Sequence, residues 1–414
     1  MSVRLPSPGA GVTGAGGPNR RHAPAADSDR PMHLETDYDV VIAGASFAGL
    51  AVAQRLSRSR AEGSGTRQRR IAVLDRAPVG DGVTSACAAP VTIVHAMGAA
   101  DSIRQVHDRL VIHTPSSRAV WPLPESFCTF DYRKFCERAF ECAGVDFIQA
   151  SVIGRSGSIV HTTTGDVSGK FLVDATGWRA GLLGGPTSPY VDRRWMAFGI
   201  ESEVEGAFEP GLHFYFLPEV RDGYAWAFPA GGGIRFGVLS YRGRSKLHGA
   251  LEQFMGRFGL QPGAVHGGFL ASGLRSPVVN GVFIVGDASG HCLPLTGEGI
   301  RTAVLGGFKC GELLQRVLGG ELSREQAGNQ YEEFLQRSRR KFRTLLWSNC
   351  ALLVLPLLAV GQAAKWLSYP SLLRLFMRRY LGIFSETPRP VRPALVTGDL
   401  LARLGAGQQD GTDR

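Results

Sequence analysis

Apolar positions along the chain fall into distinct regimes. From Val40 to Ala43 they are continuous, as in a parallel strand buried on both faces. Leu50 to Leu56 opens a helix, and Arg70 to Leu74 reads as a second strand. Further buried strands are predicted at Val145–Ala150, Phe171–Val173 and Gly281–Val285, with a hairpin turn near Gly165-Asp166. Phe130–Phe140 has helical spacing, with Asp131 in its first turn. From Met196 to Tyr241 the period changes to two: Phe198, Ile200, Val204, Phe214, Phe216, Tyr224, Trp226, Phe228, Ile234, Phe236 and Val238. That pattern predicts an antiparallel sheet with one covered, aromatic face. A helix runs from Ile300 to about Leu318, and Thr344–Ala364 is 21 residues without a charge.

The first strand and helix flank Gly44 and Gly49, the outer glycines of a dinucleotide-binding turn, with Ser46 at the middle position. Such a turn aims backbone N–H groups and a helix N-terminus at a pyrophosphate. The Ser46 hydroxyl can donate to a phosphate oxygen. Asp75 ends the second strand, where an acid takes ribose hydroxyls. It lies 26 residues beyond Gly49, because Ser59–Arg69 inserts a polar turn. A second glycine-rich helix start, Pro294 to Ile300, follows Gly286-Asp287 and aims its donors toward the same ligand.

Composition narrows the classes. The 414 residues are 44% apolar and 20% charged, as in a globular chain with a large core. The net charge of +10 comes mainly from arginine, and without a helix-turn-helix, zinc-finger or RNA-motif signature it does not indicate nucleic acid. Seven scattered cysteines show no metal-ligand or disulfide spacing, so no metal is expected, and a reducing cytoplasmic compartment is the simplest reading. Met1–Pro31 lacks apolar periodicity and reads as a disordered tail, with Met32 an adequate start.

Four features together resemble the flavoproteins related to p-hydroxybenzoate hydroxylase, and within them the geranylgeranyl reductase group. They are the first fingerprint with Asp75, Ala175-Thr176-Gly177 after a strand, Tyr224-Ala-Trp226-Ala-Phe228-Pro229, and Gly286-Asp287 followed by Pro294 to Ile300. Phe130-Asp131-Tyr132-Arg133 also matches that group. The resemblance implies FAD held by Gly44, Ser46, Gly49, Asp75, Arg133, Gly177 and Asp287. It implies backbone N–H groups of Gly297, Glu298, Gly299 and Ile300 near the flavin pyrimidine edge, and Tyr224, Trp226 and Phe228 on the substrate side. Cys87 is followed by Ala-Ala where the reductases commonly carry Cys-Gly-Gly.

The expected architecture is α/β. A discontinuous Rossmann-type FAD-binding domain (37–185 and 268–320) carries an inserted antiparallel β-sheet substrate domain (186–267) and a helical C-terminal extension (321–400). Tails lie at 1–36 and 401–414. The expected activity is FAD-dependent reduction of C=C bonds in an apolar, isoprenoid-like substrate. NAD(P)H or another reductant would bind transiently, since no second nicotinamide fingerprint exists. Cys87, Tyr224 and His291 are the candidate proton donors. Aromatic or quinone hydroxylation on the same scaffold, and a non-catalytic flavin- or lipid-binding role, remain open. A flavin halogenase needs an early lysine, and none precedes Lys134. The apolar, basic segment Lys365–Arg379 suggests peripheral association with the inner face of a membrane.

Overall fold

The structure, a computed structural model, describes residues 37–57, 69–220 and 222–385. The expected tails, residues 386–400 and most of the polar turn at 59–69 lie outside those residues. Strand β1 (Tyr38–Ala43), helix α1 (Phe47–Ser57) and strand β2 (Ile71–Asp75) open the chain, followed by β3 (Ala88–Pro90) and α2 (Val91–Ala96). Two long strands, β4 (Ile103–Thr114) and β5 (Ser117–Phe130), lead into α3 (Tyr132–Ala143). Next come β6 (Asp146–Gln149), β7 (Val152–Ser156), β8 (Ile159–Thr162) and β9 (Gly165–Asp174). The period-two region gives β10 (Met196–Glu205), β11 (Leu212–Tyr215), β12 (Gly223–Pro229) and β13 (Gly233–Ser240). Helix α4 (His248–Gly256), β14 (Val265–Ala271), β15 (Val278–Val279) and β16 (Val282–Ile284) precede α5 (Ile300–Leu318). Helices α6 (Arg324–Leu352), α7 (Leu357–Leu367) and α8 (Pro370–Leu381) complete the described chain.

Strand β1 lies between β2 and β9, parallel to both, in the order β15-β16-β9-β1-β2-β6. Its alternate residues serve separate cores, which is why the sequence there is apolar without interruption. Val40 and Ile42 pack with Val52, Leu313 and Leu335, while Val41 and Ala43 pack with Val160, Leu182 and Ile284. Helices α1 and α5 cross closely because a Cβ on Gly307 would lie 2.5 Å from the Ala48 carbonyl oxygen. This crossing sets the two glycine-rich helix starts side by side.

The second sheet runs β14-β10-β13-β12-β11-β4-β5-β3, antiparallel except between β11 and β4. It corrects two expectations. The sheet is not confined to residues 186–267: β3, β4 and β5 join it, and β14 continues to Ala271. The prolines at 122 and 124 read as a loop, and they lie where the β4–β5 pairing slips between His107 and Arg109. The sheet is also covered on both faces. Tyr224, Trp226 and Phe228 share one face with Leu239, whereas Ile234, Phe236 and Val238 pack on the other against Leu251, Phe254 and Met255 of α4.

The uncharged stretch at 344–364 is cut at Pro356 into the end of α6 and most of α7. Helix α6 starts with a capping box between Ser323 and Gln326. Helices α7 and α8 lie against β5, where the Trp121 indole donates to the Ala364 carbonyl at 2.9 Å. Among the described residues no helix is long and apolar enough to cross a membrane.

Candidate active site

A cavity of about 1040 Å³ runs from the first glycine turn to the C-terminal helices. At one end are Gly44, Ser46 and Asp75; in the middle are Gly177, Asp287 and the segment 297–300; beyond the aromatic strand are Leu110, Phe214, Leu352 and Phe376. Its volume reaches the top of the ~300–1,000 Å³ range of small-molecule sites.

The first turn has the geometry a phosphate cradle requires. Gly44 has φ +113°, and a Cβ there would lie 2.2 Å from the Ala175 carbonyl oxygen. Gly49 is not on the cavity wall; its hydrogen is needed where α1 crosses the turn, since a Cβ would meet the Gly44 carbonyl oxygen at 1.9 Å. The Ser46 hydroxyl accepts from the Tyr132 hydroxyl at 3.0 Å. Asp75 accepts the Ala45 and Ala77 N–H groups at 2.8 and 3.2 Å, so backbone orients its carboxylate.

Arg133 does not meet the cavity. Asp131 caps α3 by accepting the Lys134 N–H at 2.8 Å, and this fixes the helix phase. Tyr132 then faces the cavity, while Arg133 is not on its wall and pairs with Asp81, which is. Asp81 and residues 84–88 line the cavity, as the small-residue loop after Asp75 predicts.

At the second helix start, Gly297 donates its N–H to the Leu293 carbonyl at 2.9 Å, and the Glu298 N–H goes to the Thr296 hydroxyl at 3.3 Å. These two donors turn back into the loop. Gly299 and Ile300 begin α5 with N–H groups that take no partner among the described residues. The Glu298 side chain pairs with Arg301 at 2.9 Å and accepts from the Tyr380 hydroxyl at 3.2 Å. Arg301 in turn donates to the Leu381 and Ile383 carbonyls, so α8 is tied to the helix start. Asp287 accepts the Ala271 N–H at 3.1 Å, and burial raises its carboxyl to about 6.

The three candidate proton donors separate. His291 is fully buried outside the cavity wall; its Nδ1 accepts the Gly286 N–H, and burial lowers it to about 3, leaving a neutral structural ring. Tyr224 lines the cavity, but its hydroxyl donates to the Thr296 carbonyl. Cys87 also lines it, with its thiol directed to the Ser85 carbonyl at 3.3 Å and pushed up to about 12 by burial.

Sequence reasoning missed Glu201, Arg235 and His266. Glu201 and Arg235 alternate with the apolar positions of the period-two region, and His266 lies beyond that region, so neither signal pointed to the covered face. Strand pairing puts them on the cavity face beside Trp226, whose indole donates to Glu201 Oε2 at 2.7 Å. Arg235 donates to Glu203 at 2.9 Å and to the Ala86 and Phe130 carbonyls at 3.0 and 3.1 Å. Gly237 lies beneath the indole, and a Cβ there would be 2.0 Å from Cζ2. Gly237→Ala is therefore expected to displace Trp226 and destabilise the chain by roughly 1–3 kcal/mol, read as a lower denaturation midpoint.

No family model matches the chain. A digeranylgeranylglycerophospholipid reductase of Methanococcus vannielii is 29% identical over 140 residues, covering 32% of this chain and 36% of that protein. The chain thus spans about a third of that curated relative's length. Among solved structures, a geranylgeranyl bacteriochlorophyll reductase-like protein of Thermoplasma acidophilum matches with a TM-score of 0.71 at 18% identity, over 84% of this chain and 97% of that one. The flavin-dependent brominase Bmp2 matches at 0.64 and 14% identity, over 90% of this chain and 100% of its own. The chain therefore shares the fold of these two solved proteins. The sequence likeness falls on the geranylgeranyl reductases, and the resemblance carried by the motifs is borne out.

Proposed function

We propose that the chain is an FAD-dependent oxidoreductase that reduces C=C bonds of an apolar, isoprenoid-like substrate. The carrying observation is one continuous cavity that joins a dinucleotide cradle to an apolar channel. The cradle fits FAD: Gly44 leaves room only for hydrogen, Asp75 is oriented by backbone, and α5 presents its N-terminus beside Asp287. In this reading Gly44 and Ser46 hold the pyrophosphate, Asp75 the ribose and Asp287 the ribityl chain, and bound FAD supplies hydride chemistry. The N–H groups of Gly299 and Ile300 stabilise negative charge at the end of the ring. Beyond it, Trp226, Phe228, Leu110 and Phe214 exclude water and hold an apolar chain in place.

Electrons come from NAD(P)H or another carrier that docks transiently. The Gly231–Gly233 run is no second nucleotide site, because it forms the β12–β13 turn. No lysine lines the cavity among the described residues, and Lys134 is drawn outward to Asp101, which disfavours halogenation.

The test is anaerobic reduction of the purified chain with its flavin spectrum monitored, followed by addition of an isoprenoid alkene. An oxygen-independent mass gain of two hydrogens is expected. A product formed only with oxygen would make it a hydroxylase, and a bound flavin that never turns over would leave a binding role.

The reading extends to a peripheral position on an anionic membrane. Phe334 to Ser385 holds nine Lys or Arg and no Asp or Glu. Exposed Val354, Leu355, Leu358 and Trp366 lie beside the channel-lining residues Val360, Ala363 and Leu367. An apolar substrate would pass between bilayer and channel without crossing water.

A further inference from the structure

The geometry points to Glu201 and His266 as a proton path from solvent to the substrate, an inference that rests on the reductase reading above. Strand pairing places His266, Glu201, Gly237, Trp226 and Phe214 in one row across the cavity face of the second sheet. The row crosses from β14, at the sheet edge, to the aromatic wall. Glu201 lines the cavity, with its side chain only 3% exposed. His266 keeps 29% of its side chain in solvent, and its Nε2 lies 3.3 Å from Glu201 Oε1. A titratable pair thus bridges bulk water and an apolar channel that otherwise excludes it.

The groups around Glu201 assign its two oxygens. Oε2 takes the Trp226 N–H. Oε1 has no bonded donor; His266 is its near neighbour, and Arg235 Nε lies farther off at 4.0 Å. Arg235 holds Glu203 at 2.9 Å and the Ala86 and Phe130 carbonyls, and its charge also acts on Glu201, with which it forms the longer ion pair. Cys87 lies in the same charged neighbourhood, but its thiol is directed to Ser85.

Saturation of a C=C bond adds a hydride to one carbon, drawn with its electron pair from the reduced flavin, and a proton to the other. Glu201 gives that proton: its O–H bond breaks as the C–H bond forms, leaving a carboxylate. The carboxylate takes a proton from the imidazolium of His266, and the imidazole recovers one from water. Charge and atoms close, and the only reductant is the flavin.

Glu201→Gln keeps an acceptor for Trp226 and removes the proton. It is expected to lower saturating turnover roughly 100-fold or more while leaving KM and the rate of flavin reduction unchanged. His266→Gln should lower saturating turnover while leaving the rate of flavin reduction unchanged. A readout independent of turnover is the Trp226 indole N–H resonance, assigned by its loss in Trp226→Phe. In the wild type it should move with pH, and in Glu201→Gln it should stay fixed. Wild-type turnover in Glu201→Gln, or an indole resonance insensitive to pH in the wild type, overturns the path. If Glu201→Leu fails while Glu201→Gln matches the wild type, Glu201 only positions the indole and the path is equally overturned. A wild-type chain whose indole titrates but which leaves alkenes untouched supports the path and sinks the reductase reading instead.

Discussion

Asp287→Asn is expected to move two measurements in opposite directions: the FAD-free chain gains stability at neutral pH, and its hold on FAD weakens. Asp287 lines the cavity yet is crowded by protein, and burial raises its carboxyl to about 6. A carboxyl whose folded value lies above its unfolded value favours folding while protonated. That contribution is complete below about pH 4 and is lost as pH rises through about 6. At pH 7.5 the ionised group therefore costs on the order of 1–3 kcal/mol, after discounting for solvent reaching it through the cavity. Asparagine cannot ionise and still accepts the Ala271 N–H. Denaturant midpoints of the two FAD-free chains should differ at pH 7.5 and converge near pH 4. The ribityl hydroxyl would lose a charge-assisted bond worth about 1.5–3 kcal/mol, or roughly 10- to 100-fold in affinity. Flavin absorbance retained after gel filtration reads this directly. A variant that keeps FAD like the wild type would remove Asp287 from the cofactor site.

The parts of the fold legible in the sequence are those where one strand or turn makes its own case. Val40–Ala43 is apolar without a break because its two faces enter different cores. Ile300–Leu318 is bounded as predicted because its glycine-rich start and apolar stripe are local signals. What was not legible depends on pairing between distant segments. Pro122 and Pro124 read as a loop because they fall in an irregular stretch of the β4–β5 ladder, and only pairing with β11 makes that hairpin part of the sheet. Glu201 looks like an ordinary polar alternate, and His266 carries no periodic signal, until β14 pairs with β10 and brings both onto the cavity face. Arg133 matched a motif, but the Asp131 cap rotates Tyr132 inward in its place. A motif fixes residue type and spacing; the helix phase decides which neighbour reaches the ligand.

Replacing Trp347, Val354, Leu358 and Trp366 with serine together is expected to abolish binding to anionic vesicles at every salt concentration. These side chains are 71%, 80%, 61% and 69% exposed in the described structure. Leu373 and Phe376, apolar residues of the Lys365–Arg379 segment, turn inward: Leu373 is buried and Phe376 packs with it. Tyr380 of the same helix is held by Thr296 and Glu298, which fixes α8 with its arginines outward. Insertion at an interface buries part of each apolar side chain, about 1 kcal/mol apiece, so four replacements cost roughly 1000-fold in partitioning. The charge term behaves differently. Each arginine contributes roughly 1 kcal/mol near an anionic surface and fades with salt. Changing Arg374, Arg378 and Arg379 to glutamate should therefore weaken binding strongly at low salt and little at high salt. Co-sedimentation across a salt series separates the two contributions, and retained flavin absorbance shows that neither variant has unfolded. If the unaltered chain stays in the supernatant with anionic vesicles at low salt, these helices only wall the channel, and the substrate reaches it from water or from a carrier.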